Sequence, residues 1–337
     1  MRIGITGTGS LIGQAILKCI RLSELLPQMY LVGFDYFIDT IGSYWCHKNY
    51  ILPDFYKKKV TEKIWLDSLV QHIKDENLEI LFIGVDFELP LLAKSQQEIF
   101  EKTNCAVIVS NNEVIKIGND KYLTYQFLKN NDLYYPETYL FAEFEDKVNE
   151  IIEEKEINNL FPFIIKPRVG ARSVGVSMLK NINDFYEKTK NINKEEFIIQ
   201  ELVGNNDTEF TCGVLCSNDV LRGKIALKRT LKEGNTAKAS FIKAQTPAIL
   251  LEYIEKIAEK LKPNGVVNLQ IRIDKAGIPK LFEINSRHSG TTYMRALLGY
   301  NEVDYLIRYH LGLPLSALDA HEGQVIRFYE EKLIQNL

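Results

Sequence analysis

Through residues 1–115, short apolar segments alternate with segments of helical pattern, and this rhythm limits the fold more than any other feature of the chain. The apolar segments are Ile3–Thr6, Tyr30–Asp35, Glu79–Val85 and Ala106–Ser110. Between them, Leu11–Leu25, Thr61–Glu76 and Glu88–Thr103 carry apolar residues at helical spacing. Parallel strands need a long crossover, usually a helix, and read as near-continuous apolar runs when both faces are covered. The order therefore predicts a parallel, Rossmann-like sheet covered on both sides.

The rhythm changes near residues 112–120. Asn119–Asn130 and the charge-rich Asp146–Glu156 read as helices, the first capped by Asn119 or Asp120. From Pro162 onward the pattern is of paired strands: Phe163–Pro167, Gly175–Leu179, Phe197–Glu201, Glu209–Cys216, Val220–Lys228, Val266–Asp274 and Pro279–Asn285. One helix, Ala248–Leu261, interrupts them, and the turn Lys275-Ala276-Gly277 joins the last two. The fold class is thus α/β followed by α+β.

Bulk properties exclude several partners. A net charge of −3 gives no basic bias toward nucleic acid or an anionic membrane. No apolar run approaches the ~20 residues that span a bilayer, and glycines break the N-terminal stretch, unlike a signal peptide. Five cysteines without paired spacing make no disulfide framework, which points to a reducing, cytoplasmic setting. The five histidines form no zinc-ligand pair.

Three stretches carry chemistry. In FPFIIKPRVGARSVGV a strand delivers Lys166, and Pro167 stops the ladder because it has no N–H. The loop that follows holds Arg168, Gly170, Arg172, Ser173 and Gly175, and could offer backbone N–H groups and cations to phosphates. In VVNLQIRIDKAGIPKLFEINSRHSG, strand alternation sets Asn268, Gln270 and Arg272 on one face, and Leu281, Glu283 and Asn285 together on one face of the next strand. Pairing across the hairpin would bring Gln270 near Glu283, and such oxygen donors suit Mg²⁺ completed by water and phosphate. In FIIQELVGNNDTEF, Glu201, Leu202 and Val203 could form a hinge for an adenine edge, and Glu209 an acceptor for ribose.

In this order, NDKYLTYQFL, FIIKPRVGARSVGV, IIQELVGNNDTEFT, NLQ and FEINSRHSG resemble the ATP-grasp superfamily, and most closely the branch of the carbamoyl-phosphate synthase large subunit. The resemblance implies a pre-ATP-grasp domain over residues 1–115, a central subdomain over 116–195 and a C-terminal subdomain over 196–337. It implies that Lys121 and Lys166 hold nucleotide phosphates and that the loop from Gly170 to Gly175 covers them. Gln270, Glu283 and Asn285 would bind two Mg²⁺ ions, with Mn²⁺ as an alternative, and Arg287 would face the γ-phosphate. Two departures stand out: the turn GNNDT is longer than usual, and Ser286 replaces a customary proline.

The implied reaction is ATP-dependent ligation of a small carboxylate to an amine through an acyl phosphate, in a chain that could form a homodimer. Arg168, Arg172, Lys228, Arg229, His288 and Arg295 are candidates for holding the acid or closing the loop, and His288 for carrying a proton. Thr230–Ser240 reads as a surface loop that could border the substrate pocket. Three other readings remain open: a kinase stopping at the phosphorylated acid, a nucleotide-sensing module that has lost catalysis, and an NAD(P) oxidoreductase using Gly7-x-Gly9-x-x-x-Gly13 with Asp35. The glycines equally suit a tight strand–helix turn whose helix start faces the substrate.

Overall fold

The computed structural model describes residues 1–334 apart from 56, 58, 152–156, 158 and 171–173. Strands β1 (Arg2–Thr6), β2 (Tyr30–Asp35), β3 (Lys48–Ile51), β4 (Ile80–Phe82) and β5 (Ala106–Ile108) form a parallel sheet in the order β3-β2-β1-β4-β5. Helices Leu11–Ile20, Glu62–Asp75 and Leu89–Thr103 cross between strands, as the rhythm required. The edge strand β3 was not expected. Three of its four residues are exposed, so it has no apolar run to announce it.

Next, β6 (Thr138–Leu140), β7 (Phe163–Pro167), β8 (Ser177–Leu179) and β9 (Phe197–Glu201) form an antiparallel sheet ordered β6-β9-β7-β8. Helices Phe141–Asn149 and Ile182–Thr189 cover one face through Phe141, Phe144, Phe163, Ile165, Phe185 and Ile199. Period-two alternation therefore turns Ile164, Lys166 and Gln200 to the opposite side.

The third sheet contains β10 (Glu209–Ser217), β11 (Val220–Lys232), β12 (Asn235–Phe241), β13 (Gly265–Ile273), β14 (Pro279–Asn285) and β15 (Gly323–Ile326), ordered β14-β13-β10-β11-β12-β15. Helix Ala248–Leu261 packs Leu250, Ile254 and Ile257 against Val214, Leu269 and Ile271. Glu209, Thr211, Asn268 and Gln270 lie on the other side. Another cluster joins Ile5, Ile16 and Phe82 to Leu215, Leu306 and Ile307, so the parallel sheet and the large antiparallel one share a core.

Several expectations are corrected. The predicted helix Asn119–Asn130 is present as Lys121–Asn130 with Asp120 as its cap, but a further helix, Asn112–Asn119, precedes it unforeseen. Asp120 breaks them because its carboxylate accepts from the backbone N–H of Tyr122 and Leu123. The helix expected at Asp146–Glu156 is instead Phe141–Asn149, and its predicted end lies outside the described residues. Thr230–Ser240 is not a loop: β11 and β12 run through it as a tight hairpin. Leu281 does not share a face with Glu283. A bulge opposite Gln270 and Ile271 turns Leu281 into the core and brings Phe282 to the cleft beside Glu283.

Candidate active site

Lys121 and Lys166 are positioned by two local devices. Asp120 caps the helix that Lys121 begins, and Arg168 holds that cap with a 2.6 Å ion pair. Lys121 Nζ donates to the carbonyl of Gly170 at 2.9 Å. At the end of β7, Lys166 Nζ donates to Gln200 Oε1 at 2.7 Å and to the Phe282 carbonyl at 3.2 Å. Both side chains are buried, and neither ammonium has a carboxylate partner among the described residues. Burial pushes the Lys166 pKa down to about 7; Glu283 opposes the shift, and Lys121 and Arg272 add to it. Two desolvated cations on neutral oxygens form a site short of an anion.

These lysines line a cleft between the two antiparallel sheets. Ile164, Val174, Val176, Leu202, Val203 and Phe282 supply apolar wall suited to a planar base. Glu201 sits at the rim, held by Lys280 at 2.9 Å. Glu209 faces the cleft but is clamped: Arg229 donates to one oxygen at 2.7 Å and Arg272 to the other at 2.8 Å. Gly170 and the exposed Val174 border the cleft, whereas Arg172 and Ser173 lie outside the described residues.

The oxygen cluster comes from paired strands. Gln270 stands opposite Glu283, and Asn268 opposite Asn285. Glu283 accepts from Asn285 Nδ2 at 3.4 Å, Gln270 accepts from Arg229 at 3.0 Å, and Asn285 accepts from Arg287 at 3.1 Å. Two amide oxygens and one carboxylate are hard donors, a set that fits Mg²⁺ shared with phosphate and water. No cluster of three His, Cys, Asp or Glu groups occurs among the described residues.

Arg229, Leu231, Gln270 and Glu283 also line a second pocket, which adjoins the first. It is closed by Leu11 and Ile12 from the start of the first helix, by Asp86, by Ser289–Thr291 and by Arg327. Arg287 lies here and is ion-paired with Asp86.

Residues 193–332 match the model of the family "ATP-grasp in the biosynthetic pathway with Ter operon". Over those residues the chain is similar to the ATP-grasp family. It is 26% identical over 63% of its length to an uncharacterised protein of Mycoplasma genitalium, of which 68% is covered. It is 21% identical over 73% of its length to a carbamoyl-phosphate synthase of Methanobrevibacter smithii, again covering 68%. The ADP complex of an N5-carboxyaminoimidazole ribonucleotide synthetase matches 95% of this chain and 79% of its own, with a TM-score of 0.73 and 13% identity. An L-amino acid ligase of Bacillus licheniformis matches 92% of this chain and 74% of its own, with a TM-score of 0.67 and 14% identity. At such identities the structural likeness establishes the shared fold.

Several candidates face elsewhere. Arg168 turns to Asp120 and stacks over Tyr122, away from the cleft. Lys228 is half-buried on β11 opposite Phe210. Arg295 is fully buried against Glu302 at 3.1 Å. His288 is 3% exposed, and burial pushes its pKa down to about 4. It is neutral near pH 7 and no carrier of protons to the cleft.

The oxidoreductase reading also loses its acid. Asp35 is buried and accepts from Gly9 N at 2.6 Å, Thr8 Oγ1 at 3.0 Å and Tyr36 N at 2.7 Å. It fastens its own glycine turn, and Thr40 packs where a Gly9 side chain would stand. Gln200, Phe282, Arg272, Asp86 and Arg327 were missed as site residues. No motif marks them; only the bulge and the sheet order bring them in.

Proposed function

We propose that this chain is an ATP-dependent ligase joining a carboxylic acid to an amine or a similar nucleophile, with ADP and phosphate released. One observation carries the reading: two buried ammonium groups without a carboxylate partner share a cleft with Gln270 and Glu283. The carboxylate oxygen of the acid bonds to the γ-phosphorus as the bond from that phosphorus to the β–γ bridging oxygen breaks, and ADP departs. The amine nitrogen then attacks the acyl carbon, the carbon–oxygen bond to phosphate breaks, and the amine proton passes to solvent.

Such transfer is mostly positioning and electrostatic stabilisation. Lys121 and Lys166 hold phosphate oxygens, and the backbone at Glu201–Val203 borders the base. Glu209, held by Arg229 and Arg272, stands beside the sugar. Gln270, Glu283 and Asn285 would hold Mg²⁺, or Mn²⁺ in its place. Bound there, the ion neutralises charge on the transferring phosphoryl group. Arg287, aimed by Asp86, faces the acyl-phosphate end.

The test is ADP release over a panel of acids and amines with Mg·ATP, followed by product mass. A product equal to acid plus amine less water supports the ligase. A hydroxylamine-trapped acyl phosphate without condensed product would assign a kinase instead. Silence across the panel, with Mg·ATP bound, overturns both.

A further inference from the structure

The second pocket contains three guanidinium groups with unequal partners. Arg229 is paired with Glu209 and Arg287 with Asp86. Arg327 has no carboxylate partner among the described residues; its Nη2 donates to the carbonyl of Gly290. Its position is set by the sheet: β15 pairs with β12, Lys238 opposite Ile326, and the Arg327 N–H bonds to the Ala237 carbonyl at 2.7 Å. Burial lowers its pKa below the usual guanidinium value, yet an arginine keeps its charge in a protein. A half-buried cation whose side chain meets one neutral oxygen is left short of an anion.

The surroundings give the pocket a direction. Gln270 and Glu283, shared with the nucleotide cleft, mark the reactive end. Arg327 stands with Gly290, Leu11 and Ile12 where the first helix closes the wall. A side chain at Gly290 would meet Leu11 at 2.7 Å, so the glycine keeps this part of the wall thin. Ser289 and Thr291, whose hydroxyls bond each other at 2.7 Å, add polar lining.

We propose that the acid phosphorylated here carries a second, unreacted anionic group, a carboxylate or a phosphate, which Arg327 receives away from the reacting centre. The inference rests on the ligase reading for the first carboxylate, whereas the anion site at Arg327 can be tested without turnover.

The experiment is calorimetric titration of the chain saturated with Mg·ADP. The probes are succinate, glutarate and 3-phosphonopropionate against butyrate, with wild type, Arg327→Ala and Arg327→Lys. At least one dianion should bind tenfold or more tighter than butyrate. Arg327→Ala should remove that preference and Arg327→Lys restore part of it, with Mg·ADP affinity unchanged throughout as the check on folding. The phosphonate arm tells which anion is preferred. Equal binding of butyrate and every dianion, or a preference that survives in Arg327→Ala, overturns the inference. An Arg327-dependent preference without ADP release from any acid would leave the anion site standing and remove the ligase reading. ADP release with monoacids as efficient as with diacids would do the reverse.

Discussion

Lys166 and Glu283 meet across two sheets that the sequence separates widely: the Lys166 ammonium donates at 3.2 Å to the carbonyl of Phe282, the residue before Glu283. Cation and carboxylate thus border one cleft, and the Glu283 charge favours the protonated lysine.

Glu283→Gln should lower metal-dependent ADP release by about a hundredfold or more, the cost typical of losing one preorganised electrostatic group. The side chain is only half-buried, so circular dichroism and the thermal midpoint should barely change. Full turnover in the variant would remove Glu283 from the metal site.

Nucleotide binding should take up a proton at pH 8. The Lys166 pKa lies near 7 in the nucleotide-free chain, so the amine is mostly neutral there. Bound phosphate favours the ammonium and raises its pKa. Affinity for Mg·ADP should therefore weaken as pH rises above 7. Calorimetry in buffers of different ionisation enthalpy measures the uptake, and Lys166→Met should lose it.

His288 should act through stability alone. Its folded pKa of about 4 lies below the unfolded value of about 6.5, so the unfolded chain binds more protons between these limits. Stability should accordingly fall as pH drops from 6.5 toward 4, by roughly 3 kcal/mol in all. His288→Gln should flatten that slope in urea titrations and leave the pH–rate profile above pH 6 unchanged. A rate profile that shifts with the variant would restore a role in proton transfer.

Arg295 and Glu302 are both fully buried and paired at 3.1 Å. Arg295→Met leaves an uncompensated buried carboxylate and should cost about 3–5 kcal/mol. The double variant with Glu302→Gln should recover much of it. A single variant as stable as wild type would show that the pair contributes no net stability to the fold.

The alternation of apolar and helical segments was enough to specify the parallel sheet, because a strand covered on both faces needs an unbroken apolar run. Alternation along β13 likewise placed Asn268 and Gln270 on the face away from the helix Ala248–Leu261, since side chains reverse at every residue. Lys166 at a strand end and Glu283 opposite Gln270 were legible for the same local reason. Other features depended on what the chain packs against. The bulge in β14 moved Phe282 into the cleft and Leu281 out of it, which no periodicity announces. Asp35 and His288 read as candidate chemistry until neighbouring turns and core residues enclosed them. Arg327 had no motif, and only the pairing of β15 with β12 carried it to the pocket beside Leu11. Local pattern fixes which way a side chain points along its own strand; whether it then meets a ligand, a counter-ion or the core depends on distant elements whose contacts are energetic sums over the whole fold.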